Sequence, residues 1–396
     1  MSGNQYSGLW SLSKDISYLN HGSFGAVPRD VEQAQSELRR RAESNPNRWF
    51  RFEMPDLLIA ARIKTAAWMN VPSERFAFVP NASQGVITAV QALVDDATAK
   101  QQHAHMIAVS LGYGGVHYGM QRVAKRSNAT LTIAEIAYPH EISVAAIASR
   151  IRLGLSSHDE AAIVVIDQIT SETGVLLPVV EIIEELKTTH VNLQFVVDDA
   201  HGPGMLESPV PHGCDVWVGN FHKWLSAPRP SAGLVCASPQ IAALMAPLAA
   251  SWGYENGFPS SFDWNGTSDY SPYLVTPDAI AFQERWSYDE RHQHNATVVD
   301  GGAELLRSAW GVENHLAGTE VTEAPWMRMV LLPKTGATAQ PLTIEGRDQL
   351  IRRAGSELHA ECTIMTVRGE NYVRLSAQMY NEIDDYEALV ALPFLD

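Results

Sequence analysis

Two short segments carry the residue types that can do covalent chemistry. The first, VVDDAHGPG at 196–204, is an apolar run that ends in Asp198, with His201 three positions on. The second, GNFHKW at 219–224, sets His222 and Lys223 just past another apolar run. In an open α/β sheet ligands sit beyond the carboxyl ends of the strands, so a carboxylate, an imidazole and an amine would gather at one mouth. Taken alone, Lys223 also reads as a solvated surface lysine. Its place after a strand, between His222 and Trp224, argues for the site.

A third segment, FVPNASQG at 78–85, runs from a strand through Asn81, Ala82 and Ser83 into a helix. Free backbone N–H groups and the Ser83 hydroxyl then face one point, which makes an anion site. Plain N-capping by Asn81 or Ser83 explains the same residues. Pyridoxal 5′-phosphate (PLP) needs this set: an amine to bond its carbonyl, a carboxylate to keep its ring nitrogen protonated, and donors for its phosphate. Lys223 and Asp198 fill the first two roles. Asp199, next along the strand, would point to the other face.

These segments need a sheet to position them. Compact β-rich runs at 75–79, 106–110, 131–136, 162–167, 194–198, 215–218 and 233–236 alternate with helical patterns. That rhythm indicates an α/β domain with a largely parallel sheet. Val86, Val90 and Leu93 recur at helical spacing, and an apolar stripe follows Pro178 over 179–186. An N-terminal helix is expected from Arg29 to about Glu43, after Pro28. Beyond residue 275 the pattern shifts to longer helices with strand-like runs at 326–332 and 361–367, which suggests a smaller α+β domain. The expected division is a large domain over 20–272, with 1–19 and 273–396 forming the small one.

Further motifs give the chain a family likeness. YLNHGSFGAVP at 18–28, Asn45-Pro46, SWGY at 251–254, NGTSD at 265–269 and VRLSAQMYN at 373–381 join the three segments above. With them the chain resembles the class V aminotransferases, in the fold type I PLP group that includes cysteine desulfurases and isopenicillin N epimerases. The likeness runs nearly end to end and implies the PLP-dependent transferase fold: a large domain with a mostly parallel mixed sheet covered by helices, plus a smaller C-terminal α+β domain. It implies that Lys223 carries the cofactor as a Schiff base, that Asp198 pairs with the pyridine nitrogen, and that His201 lies near the ring hydroxyl. Ala82 and Ser83 become phosphate binders, with His222 as a further donor.

By the same likeness Tyr113, in SLGYGG, stacks on the cofactor; ordinary loop packing is the other reading. Within DQITSETGVLLP at 167–178, Gln168 stands where the family commonly has His, and Thr170 and Ser171 approach the cofactor or merely cap a turn. Arg374 matches the arginine that grips the substrate α-carboxylate with a planar fork; an exposed salt bridge is its alternative. Asn20 and His21 line the same pocket. Thr267 matches the residue that reaches the neighbouring subunit's phosphate, which implies a homodimer with shared sites. The stretch from Ala227 to Gly233 departs from the family's usual Ala-Pro then Gly-x-Gly, and places Arg229 near the cofactor, where it stiffens the loop or selects an anionic group.

Which reaction follows is decided by the residues around Cα, not by the cofactor. Persulfide-forming desulfurases add a mobile cysteine, and the candidate Cys362, in HAECTIMTV, reads instead as a buried small hydrophobe. The epimerase-like motifs favour epimerisation or racemisation of an amino acid or aminoacyl substrate, with Lys223 as one acid/base. A C–S β-lyase is the close alternative, then an aminotransferase. A non-catalytic PLP-fold regulator lacks support, for there is no helix-turn-helix or basic extension. A nucleotide-binding enzyme lacks a Gly-rich fingerprint. Penicillin epimerisation itself does not follow from the branch.

Composition bounds the rest. The 396 residues exceed one usual core, and 45% hydrophobic with 19% charged residues is ordinary for a globular protein. A formal net charge of −16, from 29 Lys and Arg against 45 Asp and Glu, weighs against nucleic acid as a partner. Three widely spaced cysteines make neither a disulfide framework nor a zinc site, so a reducing cytoplasm is the expected compartment. No run of about 18 apolar residues suggests a membrane span. The His pairs at 103 and 105 and at 292 and 294 lack partners at metal-ligand spacing, so no metal is expected.

Overall fold

The computed structural model describes residues 4–155 and 161–395. Its twelve strands are β1 (Ser17–Tyr18), β2 (Phe76–Val79), β3 (Ala104–Val109), β4 (Ala129–Ala134), β5 (Ala161–Asp167) and β6 (Gln194–Asp199), then β7 (Val216–Asn220), β8 (Ala232–Cys236), β9 (Met327–Leu331), β10 (Ala360–Glu361), β11 (Thr363–Val367) and β12 (Glu370–Ser376). Seven of them form one sheet in the order β2-β8-β7-β6-β5-β3-β4. The pairs from β4 through β7 are parallel, whereas β8 is antiparallel to both of its neighbours. The sheet is therefore mixed and mostly parallel, as the alternating pattern predicts.

Parallel strands covered on both faces become continuous apolar runs, and β2, β3, β7 and β8 are buried at every position. Helices Ala82–Ala99 and Gly114–Arg126 cover one face. Val86, Val90 and Leu93, the predicted stripe, are fully buried there. The other face carries the larger core, including Phe195, Trp217 and Phe221, into which the helix Val179–Lys187 sends Ile182, Ile183 and Leu186. Helix Arg29–Ser44 joins that side through Val31. Edge strand β4 stops two residues short of the expected end, because the Ser110 hydroxyl takes the Ile136 N–H and turns the chain away.

A second core lies in the C-terminal part. Strands β11, β12 and β9 form an antiparallel sheet backed by helices Tyr288–Trp310 and Ile344–Glu357. The long helix begins at a capping box formed by Ser287 and Glu290 and ends at Gly311 with φ 62°. Strand β12 was not anticipated as a strand, and neither was β1. The N-terminal segment pairs in parallel with β10, which brings Leu19 into the C-terminal core. Among the described residues, no helix is long and apolar enough to cross a membrane.

Candidate active site

The carboxyl ends of β2, β3, β5, β6 and β7 converge, and the predicted residues follow them. After β7 the chain makes a tight turn: the Ser226 N–H donates to the Lys223 carbonyl at 3.0 Å, and Ser226 adopts φ 63°. Two glycines let other segments approach this turn. A Cβ on Gly25 would lie 2.3 Å from the Lys223 carbonyl oxygen, and one on Gly204, at φ 88°, would meet the Leu225 nitrogen at 2.6 Å. The N-terminal segment and the loop after β6 thus clamp the lysine turn from two sides.

His201 is fully buried beside Lys223, its Nε2 3.0 Å from Nζ. The Trp224 indole N–H, a donor only, points at His201 Nδ1 at 3.2 Å. Burial and the Lys223 charge hold His201 well below the usual histidine range, so its ring is neutral and the tautomer is set. With Nδ1 accepting, Nε2 carries the hydrogen and faces the lysine nitrogen. A neutral amine accepts that hydrogen bond and an ammonium does not. Burial first, then Arg374, lowers the Lys223 amine to about 7, against the pull of Asp198, Asp167 and Asp199.

Asp198 is buried on the same side as Lys223, its Oδ1 accepting from the Ala200 N–H at 3.1 Å. Burial raises it to about 6, and the lysine charge opposes that rise. Asp199 points elsewhere, taking the Trp217 indole N–H at 3.1 Å beneath Gly202. The alternation of the strand therefore separates the two carboxyls, as expected. Asp167, paired in register with Asp198, is a third buried carboxyl here, raised by burial and by Asp198. It went unnoticed in the sequence although β5, like β6, is an apolar run ending in Asp. Its partner is the backbone N–H of Tyr113, which opens the helix Gly114–Arg126 with its ring half exposed.

The anion site is narrower than expected. Asn81 caps the helix by accepting from the Gln84 N–H at 2.9 Å, and the Ala82 N–H is taken by Asn220 Oδ1 at 2.8 Å. Ala82 therefore has no backbone donor to offer a phosphate, which leaves the Ser83 N–H and hydroxyl. His222 donates from Nδ1 to the Ser231 carbonyl at 2.6 Å, and burial lowers it to about 4. It is neutral, so its Nε2 gains a proton to donate only when an anion stabilises it.

Arg374, at 2% exposure, reaches across from β12. It donates to the Ser171 backbone carbonyl and, at 2.7 Å, to the Ser23 hydroxyl. Ser171 thus contributes its carbonyl by holding the arginine. Ser23 was missed, although it lies inside the YLNHGSFGAVP motif. Asn20 keeps a buried Oδ1 without a partner beside this pair. His21 corrects its expected role: it is wholly buried behind the lysine turn, with Nδ1 3.0 Å from the Tyr380 hydroxyl and Nε2 3.1 Å from the Lys223 carbonyl. Both nitrogens are occupied there, so it positions the turn and does not line the pocket. Arg229 is exposed and ties the turn to the Gly25 carbonyl, which favours the stiffening reading. Thr267 lies on an exposed loop and makes no hydrogen bond among the described residues.

Comparison with known proteins agrees with this arrangement. A family model described as aminotransferase class V matches residues 18–389. A probable chloroplastic L-cysteine desulfhydrase of Arabidopsis thaliana is 27% identical, over 95% of this chain and 82% of its own length. Isopenicillin N epimerase of Streptomyces clavuligerus is 30% identical, over 76% of this chain and 77% of its own length. Among solved structures, the cystine C–S lyase C-DES in complex with cysteine persulfide superposes with a TM-score of 0.73 at 17% identity, covering 98% of this chain and 99% of that one, a likeness of fold. The chain belongs to the class V aminotransferase family, whose members work with pyridoxal 5′-phosphate.

Proposed function

We propose that this PLP-dependent enzyme removes the Cα proton of a cysteine-type amino acid and releases the sulfur group from Cβ, a C–S β-lyase reaction. The donor set fits the cofactor. Lys223 would bond its carbonyl carbon, Asp198 would face its ring nitrogen, His201 its ring hydroxyl, and Ser83 and His222 its phosphate, with Tyr113 against the ring. An acid held at about 6 by burial is stabilised as a carboxylate once a cationic ring nitrogen faces it. When bound, the cofactor acidifies the Cα–H bond and accepts the resulting electron pair. The rest falls to the protein.

Arg374, aimed by Ser23 and Ser171, holds the substrate carboxylate and so fixes which Cα substituent faces Lys223. The Lys223 amine, at about 7, takes the Cα proton at neutral pH and can pass it to the departing sulfur. For L-cysteine and one water, the balance is hydrogen sulfide, pyruvate and ammonia. Inversion at Cα calls for a second proton donor on the opposite face, and His21, the imidazole nearest that role, lies behind the turn with both nitrogens bonded. That single-amine arrangement is the observation that carries the reading. Cys362, 1% exposed and pushed up to about 12 by burial, is no sulfur acceptor, which favours release of free sulfide over loading of a protein thiol.

Epimerisation is the second reading, favoured by the shared motifs and the 30% identity to the Streptomyces enzyme. One experiment separates the two. Holoenzyme with L-cysteine in deuterated water is followed for sulfide, pyruvate and ammonia, and for deuterium at Cα with inverted configuration. Equal amounts of the three products support the lyase; exchange with inversion and no sulfide overturns it. A homodimer is part of the proposal: Thr267, Trp252 at 84% exposure and Tyr254 at 53% lie on surfaces suited to a second copy.

A further inference from the structure

A cleft of about 640 Å³ lies apart from the lysine, and none of Lys223, Asp198, His201, His222 or Arg374 lines it. Its walls include the first turns of two helices, Val144–Gly154 and Val179–Lys187. Ser143 caps the first by taking the Ala146 N–H at 3.3 Å, whereas Pro178 gives the second no side-chain cap. The N–H groups of Val144, Ala145, Val180 and Glu181 have no hydrogen-bond partner among the described residues. Two helix N-termini therefore offer donors and partial positive charge to one space.

A second observation points to a different half of a ligand. Gln168 lines the same cleft at 9% exposure, and its Oε1 is buried without a partner. Its backbone is fully engaged, the N–H on the Asp198 carbonyl at 2.9 Å and the carbonyl on the Leu177 N–H at 2.9 Å. Only the carboxamide oxygen is left wanting a donor, and an unmatched buried acceptor is costly. The exposed carboxylates of Glu181 and Glu320 stand beside it. They repel a bare anion from the helix ends and attract a cation.

The chemistry that satisfies both halves is a carboxylate and an ammonium on one small molecule. We infer that this cleft binds a free amino acid as its zwitterion, with the carboxylate on the helix N–H groups and the ammonium on Gln168 Oε1 and Glu320. It is a second site, distinct from the catalytic one. Acetate or methylamine would fill half of it.

The test uses holoenzyme in which borohydride has reduced the linkage at Lys223, so that the catalytic site no longer exchanges with amino acids. Calorimetric titration with L-serine is expected to show one site per chain. Acetate and methylamine should each bind at least about tenfold more weakly, and Gln168→Leu should weaken L-serine by a similar factor while leaving the melting temperature unchanged. Arg374→Ala in the reduced protein should leave L-serine binding in place. No binding of L-serine, equal binding by Gln168→Leu, equal binding of acetate, or loss of binding in Arg374→Ala overturns the inference. The same titration on cofactor-free protein keeps the outcome independent of the proposed reaction.

Discussion

At the mouth of the seven-stranded sheet burial lowers the Lys223 amine to about 7, and in the C-terminal core it pushes the Cys362 thiol up to about 12. One cause acts on both: removal from water disfavours the charged form. For an amine the neutral form is the nucleophile, so burial prepares Lys223. For a thiol the charged form is the nucleophile, so burial silences Cys362. The neighbours reinforce the difference. Arg374 and the His201 Nε2–H both favour a neutral amine, while Glu361 adds a like charge beside the thiol. A nucleophile must therefore be judged by its surroundings and by which of its forms reacts.

The strongest way to break the contrast is Lys223→Ala, which should lower sulfide and pyruvate release about 10⁴-fold and abolish the bound cofactor's visible absorbance. Persistent turnover would move the base elsewhere. Next comes Arg374→Ala, expected to lower kcat/KM about 100-fold by steady-state kinetics, since a charge-assisted fork is lost and Ser23 and Ser171 lose their donor.

A pH series sharpens the electrostatic half. The rate at which cofactor-free protein takes up PLP should rise through pH 7 and level off above it, as the Lys223 amine becomes neutral. Its folded value lies below the unfolded one near 10.4. Between about 7 and 10.4 the unfolded chain thus binds more protons, and this group's contribution to stability grows as pH rises across that window. Denaturant melts of cofactor-free wild type and Lys223→Met should converge as pH rises. Parallel curves would mean an amine that titrates as usual. The smallest effect belongs to Cys362→Ala, with kcat/KM within about twofold of wild type and about 1 kcal/mol of stability lost to a cavity. A large loss of turnover there would restore Cys362 as a sulfur carrier.

Much of this site could be read before folding, because its residues follow apolar runs that end in a polar side chain. Asp198, Ser83 and Lys223 were found that way, and Asp167 carried the same signal without being used. What escaped detection was held by long-range contacts. Asn220 takes the Ala82 N–H across 138 residues of chain, and Arg374 meets Ser171 across 203. His21 looked like a pocket residue because its motif borders the site; packing against Trp224, with ring centroids 5.0 Å apart, turns it behind the lysine. Strand β1 is too short for any periodicity, and it exists because β10 is beside it.

The sequence by itself determined which groups stand at the strand ends, since alternation and apolar runs are local properties that survive any packing. Tertiary structure decided their chemistry. The neutral tautomer of His201, the lowered amine of Lys223 and the raised acid of Asp198 arise from burial and from charges brought close by distant segments. Desolvation and Coulomb interaction depend on distance in space, and the order of residues along the chain does not state that distance.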